Sequence, residues 1–147
     1  MDKDLHILVV DDTAVMRTML RRSLSSLGFK NITDCRSAEE ALDKLHESSF
    51  DLIISDWSMP KMSGLEFFQE LQHTERLKKV PFLVITANTD RRTVLTALKA
   101  GIVFYVTKPF TLEALREKVE AVLTPQRVEE SAKAAAEHLA AITKNTE

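Results

Sequence analysis

Four short apolar runs each end in a reactive polar residue. Ile7 to Val10 leads into Asp11-Asp12, Leu52 to Ser55 into Asp56, Phe82 to Ile85 into Thr86, and Val103 to Thr107 into Lys108. Near-continuous apolar runs of this length read as strands buried on both faces, the signature of a parallel sheet. In open α/β sheets the carboxyl ends of the strands line one edge, and sites gather there. The pattern therefore predicts three carboxylates, a hydroxyl and an ammonium converging on a common edge.

Helical periodicity fills the intervals. Ala14 to Leu27 sets Met16, Met19, Leu20, Leu24 and Leu27 on one face, and Gly28 supplies a stop. A short strand, Asn31 to Cys35, precedes Ser37-Ala-Glu-Glu40, a predicted capping box whose helix buries Ala38, Ala41, Leu42 and Leu45. After Asp56, a loop with Pro60 and Gly64 leads to the stripe Leu65, Phe68 and Leu71. The fourth helix is expected from Asp90 to Gly101, with Val94, Leu95 and Leu98 inward and Arg91, Arg92 and Lys99 in water. The fifth, capped by Thr111, is expected to bury Leu112, Leu115, Val119 and Val122. Five strand–helix alternations call for a doubly wound five-stranded parallel sheet, flavodoxin-like in order, with helices on both faces.

A chain of 147 residues with 44% hydrophobic content can bury a core without disulfides or metal staples. Its net charge of −2 gives no broad positive field, so nucleic-acid binding is not expected. No run approaches the ~20 apolar residues of a membrane helix, and the first residues lack a signal-peptide pattern, so a cytoplasmic location without membrane insertion is expected. Cys35, the only cysteine, reads as a core thiol. His6, His46, His73 and His138 lack paired ligand spacing and read as solvated side chains.

The alternation breaks at Pro125, which divides the chain into a domain over residues 1–124 and a C-terminal helical extension over 125–147. In the extension Val128, Ala132, Ala135, Leu139 and Ile142 are spaced four, three, four, three, a two-heptad seam. Two heptads are marginal alone. A frayed solvated tail competes with a helix that docks on a partner, on a second copy through residues 125–147, or back on the domain.

At the sheet edge, Asp11 and Asp12 end the first strand and Asp56 ends the third, its neighbour in a doubly wound order. Gathered like charges repel, and a hard divalent cation with oxygen ligands relieves the repulsion. Magnesium suits one or two carboxylates plus waters and a phosphate oxygen best. Capping of the first helix would account for one of the aspartates at position 11 or 12, but not for both, nor for Asp56. Lys108 supplies a point charge for an anion, and the Thr86 hydroxyl a hydrogen bond. Such a pocket fits a phosphoryl group, with Asp56 as the nucleophile that forms an acyl phosphate.

Taken together, Leu8-Val-Val-Asp11-Asp12, Ser55-Asp56-Trp-Ser58-Met-Pro60 with Ser63-Gly64-Leu65, Val84-Ile-Thr86-Ala87 and Tyr105-Val-Thr-Lys108-Pro109-Phe110 resemble the receiver domains of two-component response regulators, the CheY-like chemotaxis family in particular, over residues 5 to 123. The resemblance implies a single-domain response regulator in which Asp56 accepts a phosphoryl group from a sensor histidine kinase, with Mg²⁺ held by Asp11, Asp12, Asp56 and the Ser58 carbonyl. It implies a protein that catalyses only its own phosphorylation and dephosphorylation, and a cis bond before Pro109. Thr86 and Tyr105 would form a switch. Output would pass through a face of the fourth helix, fifth strand and fifth helix carrying Arg91, Arg92, Lys99 and Tyr105, with a flagellar motor switch protein as the docking partner. Ser58 and Asn88 depart from the commoner family residues and flank the path of attacking water, so they bear on phosphate lifetime and on any phosphatase.

Two rivals fit less well. A flavodoxin-like cofactor protein would need hydroxyls and glycines where Asp11 and Asp12 stand, and an aspartyl phosphatase would need a second acid at position 58, which is Ser. Only 22 residues follow Pro125 and no helix-turn-helix fits there, so output through protein contacts is expected. Within that reading a stand-alone phosphorelay shuttle or phosphate sink is the alternative to motor control.

Overall fold

The computed structural model describes residues 2–145, with side chains described as far as Ala141. Five strands, β1 (His6–Val10), β2 (Asn31–Cys35), β3 (Leu52–Asp56), β4 (Phe82–Thr86) and β5 (Tyr105–Thr107), pair in parallel in the order β2-β1-β3-β4-β5. They alternate with α1 (Ala14–Ser26), α2 (Ala38–Glu47), α3 (Gly64–Leu71), α4 (Arg91–Ala100) and α5 (Leu112–Leu123), and α6 (Pro125–Asn145) follows. β5 is shorter than its apolar run: Val103 and Phe104 precede the paired residues.

Side-chain alternation divides the interior into two cores. Ile7, Val9, Leu52, Ile54, Leu83, Ile85, Phe104 and Val106 face α1 and α5, where Leu20, Leu24, Leu115 and Val119 complete the packing. Leu8, Val10, Ile53, Phe82 and Val84 face α2 and α3, against Ala38, Ala41, Leu45, Phe67 and Leu71. Cys35 lies in this second core, and burial pushes its thiol up to about 12, as an inert core residue requires.

Local chemistry places the helix starts. Thr13, Ser37, Ser63, Asp90 and Thr111 each accept a backbone N–H of the first turn. The reciprocal capping box forms at Ser63 and Glu66. At Ser37 the hydroxyl caps as expected, but the Glu40 carboxylate pairs with Arg36 at 3.5 Å.

Several helix faces differ from their sequence pattern. In α3 the buried residues are Gly64, Phe67 and Leu71, with Leu65 and Phe68 half-buried. Met19 on α1 and Leu112 on α5 are 44% and 45% exposed, because each lies toward the end of its helix's apolar arc, where the sheet no longer reaches. His6 is not solvated: its ring bonds the Thr33 hydroxyl at 2.8 Å and packs on Phe50. In α6 the half-buried positions are Val128, Ser131, Ala135 and Leu139, while Ala132 is exposed and the Ile142 side chain lies outside the described residues. The stripe spacing of three, four, four follows an undistorted α-helix laid on a surface and not a heptad seam.

Because Phe67 is wholly buried and Leu112 is not, Phe67→Ala is expected to cost about 3–5 kcal/mol and Leu112→Ala about 0.5 kcal/mol or less in urea unfolding.

Candidate functional site

Strand register brings the acidic residues together. Ile7 pairs with Leu52 and Val10 with Ser55, so Asp11 and Asp56 leave the sheet in step from adjacent strands. Backbone bonds continue past the strand ends: Asp11 N–H donates to the Cys35 carbonyl, Trp57 N–H to Ile85 and Lys108 N–H to Thr86. Alternation then decides direction. Asp11 continues the parity of Ile7 and Val9, Asp56 that of Leu52 and Ile54, and Lys108 that of Phe104 and Val106, so all three project on the α1/α5 side.

The result is a charged cluster. Asp11, Asp12 and Asp56 each offer a carboxylate oxygen within 4.8 Å of the others, with Asp11 and Asp56 buried and Asp12 exposed. Lys108 Nζ reaches across β4 to Asp56 Oδ1 at 3.1 Å and Asp11 Oδ2 at 3.4 Å. The Lys108–Pro109 bond is cis. Burial, and next the Asp11 charge, raise the Asp56 carboxyl above its ordinary value, while Lys108 pulls it down. Three oxygen donors with one ammonium match a hard divalent cation in charge and donor type.

Neighbours hold the acids in place. One oxygen of Asp11 accepts the Thr13 N–H and hydroxyl at 2.9 and 3.0 Å, which leaves the other oxygen to face Lys108. Arg17 donates to the Asp11 carbonyl at 2.8 Å and pairs with Asp34, tying the end of β1 to β2. Thr13 is legible two positions after an aspartate as an Asx-type turn, whereas Arg17 carries no such signal. Gly64 is needed for contact: a Cβ there would lie 2.3 Å from the Asp56 carbonyl oxygen, and its N–H donates to Trp57. Lys61, at φ 68, takes the left-handed conformation in the same loop.

Thr86 stands apart. It has the opposite parity, that of Phe82 and Val84, and its hydroxyl donates to the Asn88 carbonyl at 3.1 Å while accepting the Asn88 N–H at 3.0 Å. The Asn88 side chain accepts the Asp90 N–H, and Asp90 caps α4 through Thr93, so a hydrogen-bonded path runs from the sheet edge to α4. Those Thr93 bonds hold the exposed Asp90 carboxyl below its ordinary value. Ser58 and Asn88 are both exposed beside the cluster. Tyr105 is 37% exposed, and Lys118 of α5 lies 6.0 Å from its ring centre. A cavity of 580 Å³ lined by Leu5, Asp51, Glu120 and Leu123 lies at the opposite, N-terminal edge of the sheet, away from the cluster.

An acidic triad and a lysine at the carboxyl edge of a 2-1-3-4-5 parallel sheet define a receiver-type site. The chain belongs to the response regulator receiver domain family, whose model matches residues 7–120. It is a CheY-like receiver. It is 39% identical over 118 residues to the chemotaxis protein CheY of Pseudomonas aeruginosa, covering 80% of this chain and 95% of that protein. The structure of chemotaxis protein CheY4 of Vibrio cholerae matches with a TM-score of 0.76 at 31% identity, covering 82% of this chain and 99% of that one. The receiver domain of a Pseudomonas aeruginosa sensor histidine kinase, solved with a magnesium ion coordinated in the active site cleft, matches with a TM-score of 0.74 at 27% identity, covering 82% of this chain and 98% of that one. Membership places the chain in two-component signalling. Among the described residues no helix is long and apolar enough to cross a membrane.

A carboxyl whose folded pKa lies above its unfolded value binds protons more tightly in the native state, so its stability contribution falls as pH rises through that interval. At neutral pH and without metal, Asp56 is therefore expected to be destabilising, and Asp56→Asn to raise the melting temperature. The gain should shrink as pH falls toward the carboxylate range, and a thermal melt series across pH checks both.

Proposed function

We propose that this protein is a phosphorylated response regulator in which Asp56 accepts a phosphoryl group from a phosphohistidine on a sensor histidine kinase, and that residues 1–124 form the receiver unit. The observation that carries this reading is the placement of Lys108 Nζ between Asp56 and Asp11, with three carboxylate oxygens gathered beside it. An Asp56 oxygen attacks phosphorus, the P–N bond to the histidine breaks, and the electron pair leaves with the imidazole nitrogen. Lys108, already in contact with Asp56, turns its charge to the incoming phosphoryl oxygens.

Asp11, Asp12 and Asp56, with the Ser58 carbonyl, would hold Mg²⁺, which supplies charge neutralisation for the transferred group. Thr13 and Arg17 keep Asp11 in position for this. Hydrolysis of the acyl phosphate returns Asp56 to a carboxylate, so the protein turns over only its own modification. Ser58 and Asn88 border the side from which water, or a phosphatase, approaches.

Thr86 and Tyr105 act as the switch. In the unmodified protein the Thr86 hydroxyl is engaged by Asn88 and the Tyr105 ring lies outward beside Lys118. Drawing Thr86 to a phosphoryl oxygen breaks its bonds to Asn88 and releases the link to the α4 cap. Output through the α4, β5 and α5 face, which carries Arg91, Arg92, Lys99 and Tyr105, directs the protein to a flagellar motor switch protein, and a cytoplasmic location follows from that role.

Trp57 adjoins Asp56 and reports the reaction. Addition of Mg²⁺ and then acetyl phosphate is expected to change its fluorescence in two steps, with Asp56→Asn lacking the second and Lys108→Ala losing most of it. Absence of both steps in folded wild-type protein would refute phosphate signalling. Phosphorylation that leaves binding to switch protein unchanged, with rapid return of the group to a histidine protein, would assign a relay shuttle in place of motor control.

A further inference from the structure

Pairing between β4 and β5 starts late. Its first rung joins Val84 to Tyr105, where Val84 N–H donates to the Phe104 carbonyl at 3.2 Å. In a parallel ladder alternate residues serve alternate neighbours, and toward β3 it is Pro81 that accepts, from Ile53 N–H. The Phe82 N–H therefore points to the β5 side. Among the described residues the rung that would meet it, with the Ile102 carbonyl, is not made. Gly101, left-handed at φ 104, ends α4, and Ile102 N–H turns back to the Ala97 carbonyl, so the chain reaches β5 too late to pair with Phe82. One corner of the sheet's N-terminal edge is left open, with a main-chain donor of a buried strand aimed into it.

A cavity of 310 Å³ fills that corner. Its walls come from both layers, Phe68, Phe82 and Ile102 from the α2/α3 side and Phe104, Val122 and Val128 from the α1/α5 side. The rings of Phe68 and Phe82 meet edge to face at 5.0 Å, which fixes one wall. Val128 belongs to α6, beyond residues 7–120 matched by the receiver family, so the extension closes a cavity that the matched residues leave open. The polar side chains that line it are Gln72, Lys78 and Lys79, and no carboxylate does, in a chain whose net charge is −2. Lys78 is held by Glu75 at 2.8 Å, whereas Lys79 has no ion pair among the described residues.

We propose that this cavity binds a small apolar carboxylic acid, of the size of an aryl acetate, with its carboxylate on the Lys79 ammonium and the Phe82 N–H and its apolar body between the two layers. The volume lies at the small end of ligand sites, which run from ~300 to ~1,000 Å³. An ammonium and a main-chain N–H both favour an ionised acceptor, and the absence of a lining acid removes the repulsion that an anion meets elsewhere on this chain. Because Val128 is one wall, the acid binds the chain with α6 seated and favours that seating by its differential affinity. No residue of the Asp56 cluster takes part, since the cavity lies at the opposite edge of the sheet, and the assignment stands apart from the phosphate reading.

The test titrates phenylacetate into the isotope-labelled full chain and follows backbone amides by NMR. Those of Phe82, Gly101 and Ile102 are expected to shift with a dissociation constant on the order of 1 mM, as suits a ligand of this size, while those of Asp56 and Trp57 stay in place. The uncharged analogue 2-phenylethanol, and phenylacetate with Lys79→Gln, should each bind about fivefold or more weakly. Val128→Asp, or Val128→Ser if the first does not fold by circular dichroism, should weaken binding as well. Absence of a saturable shift, shifts centred at the Asp56 edge, equal binding of the alcohol, or an affinity unchanged by Lys79→Gln or by the substitution at Val128 would overturn the proposal.

Discussion

Parallel pairing of β1 with β3 makes Asp11 and Asp56 emerge side by side, and the ammonium of Lys108 is what lets both remain there. Two buried carboxylates with a third at their rim repel one another in a poorly solvated crevice. One lysine reaching across β4 offsets part of that repulsion, while burial, and next the Asp11 charge, still hold the Asp56 carboxyl above its ordinary value. A site held in residual electrostatic tension is suited to a divalent cation, whose positive charge relieves it. The close approach of Gly64, the Thr13 and Arg17 bonds and the strand-end ladder all serve to hold that tension in a fixed geometry.

From this edge the structure leads outward by one continuous route. Thr86 has the wrong parity to join the cluster directly, and its hydroxyl instead organises Asn88, which organises Asp90, which caps α4. An event at Asp56 that recruits Thr86 must therefore loosen the start of α4. That same helix is in contact with α6, which also touches α5. The sheet edge and the start of α4 are thus joined by a path of hydrogen bonds, and α6 lies in contact with the helix at its end.

Much of this was legible before folding. Apolar runs ending in Asp11-Asp12, Asp56, Thr86 and Lys108 identify parallel strands and their common edge, and the helix starts at Ser37, Asp90 and Thr111 are marked by local chemistry. Helix faces were read less well. Phe67, Met19 and Leu112 all sit near the border of an apolar arc, where a rotation of one residue position changes burial and where only the sheet's actual position decides. His6 looked solvated because Thr33 and Phe50, which enclose it, are distant in sequence.

Composition and periodicity by themselves determined the architecture and the identity of the reactive groups, because strand period, helix period and capping act over a few neighbouring residues. Only the tertiary structure decided that Lys108 contacts Asp11 and Asp56 while Thr86 turns to its own loop, since that depends on strand order and side-chain parity across four strands. It alone decided the fate of α6 as well. Its stripe of Val128, Ser131, Ala135 and Leu139 takes direction from the surface it meets, and that surface is assembled from a helix some thirty residues earlier in the chain.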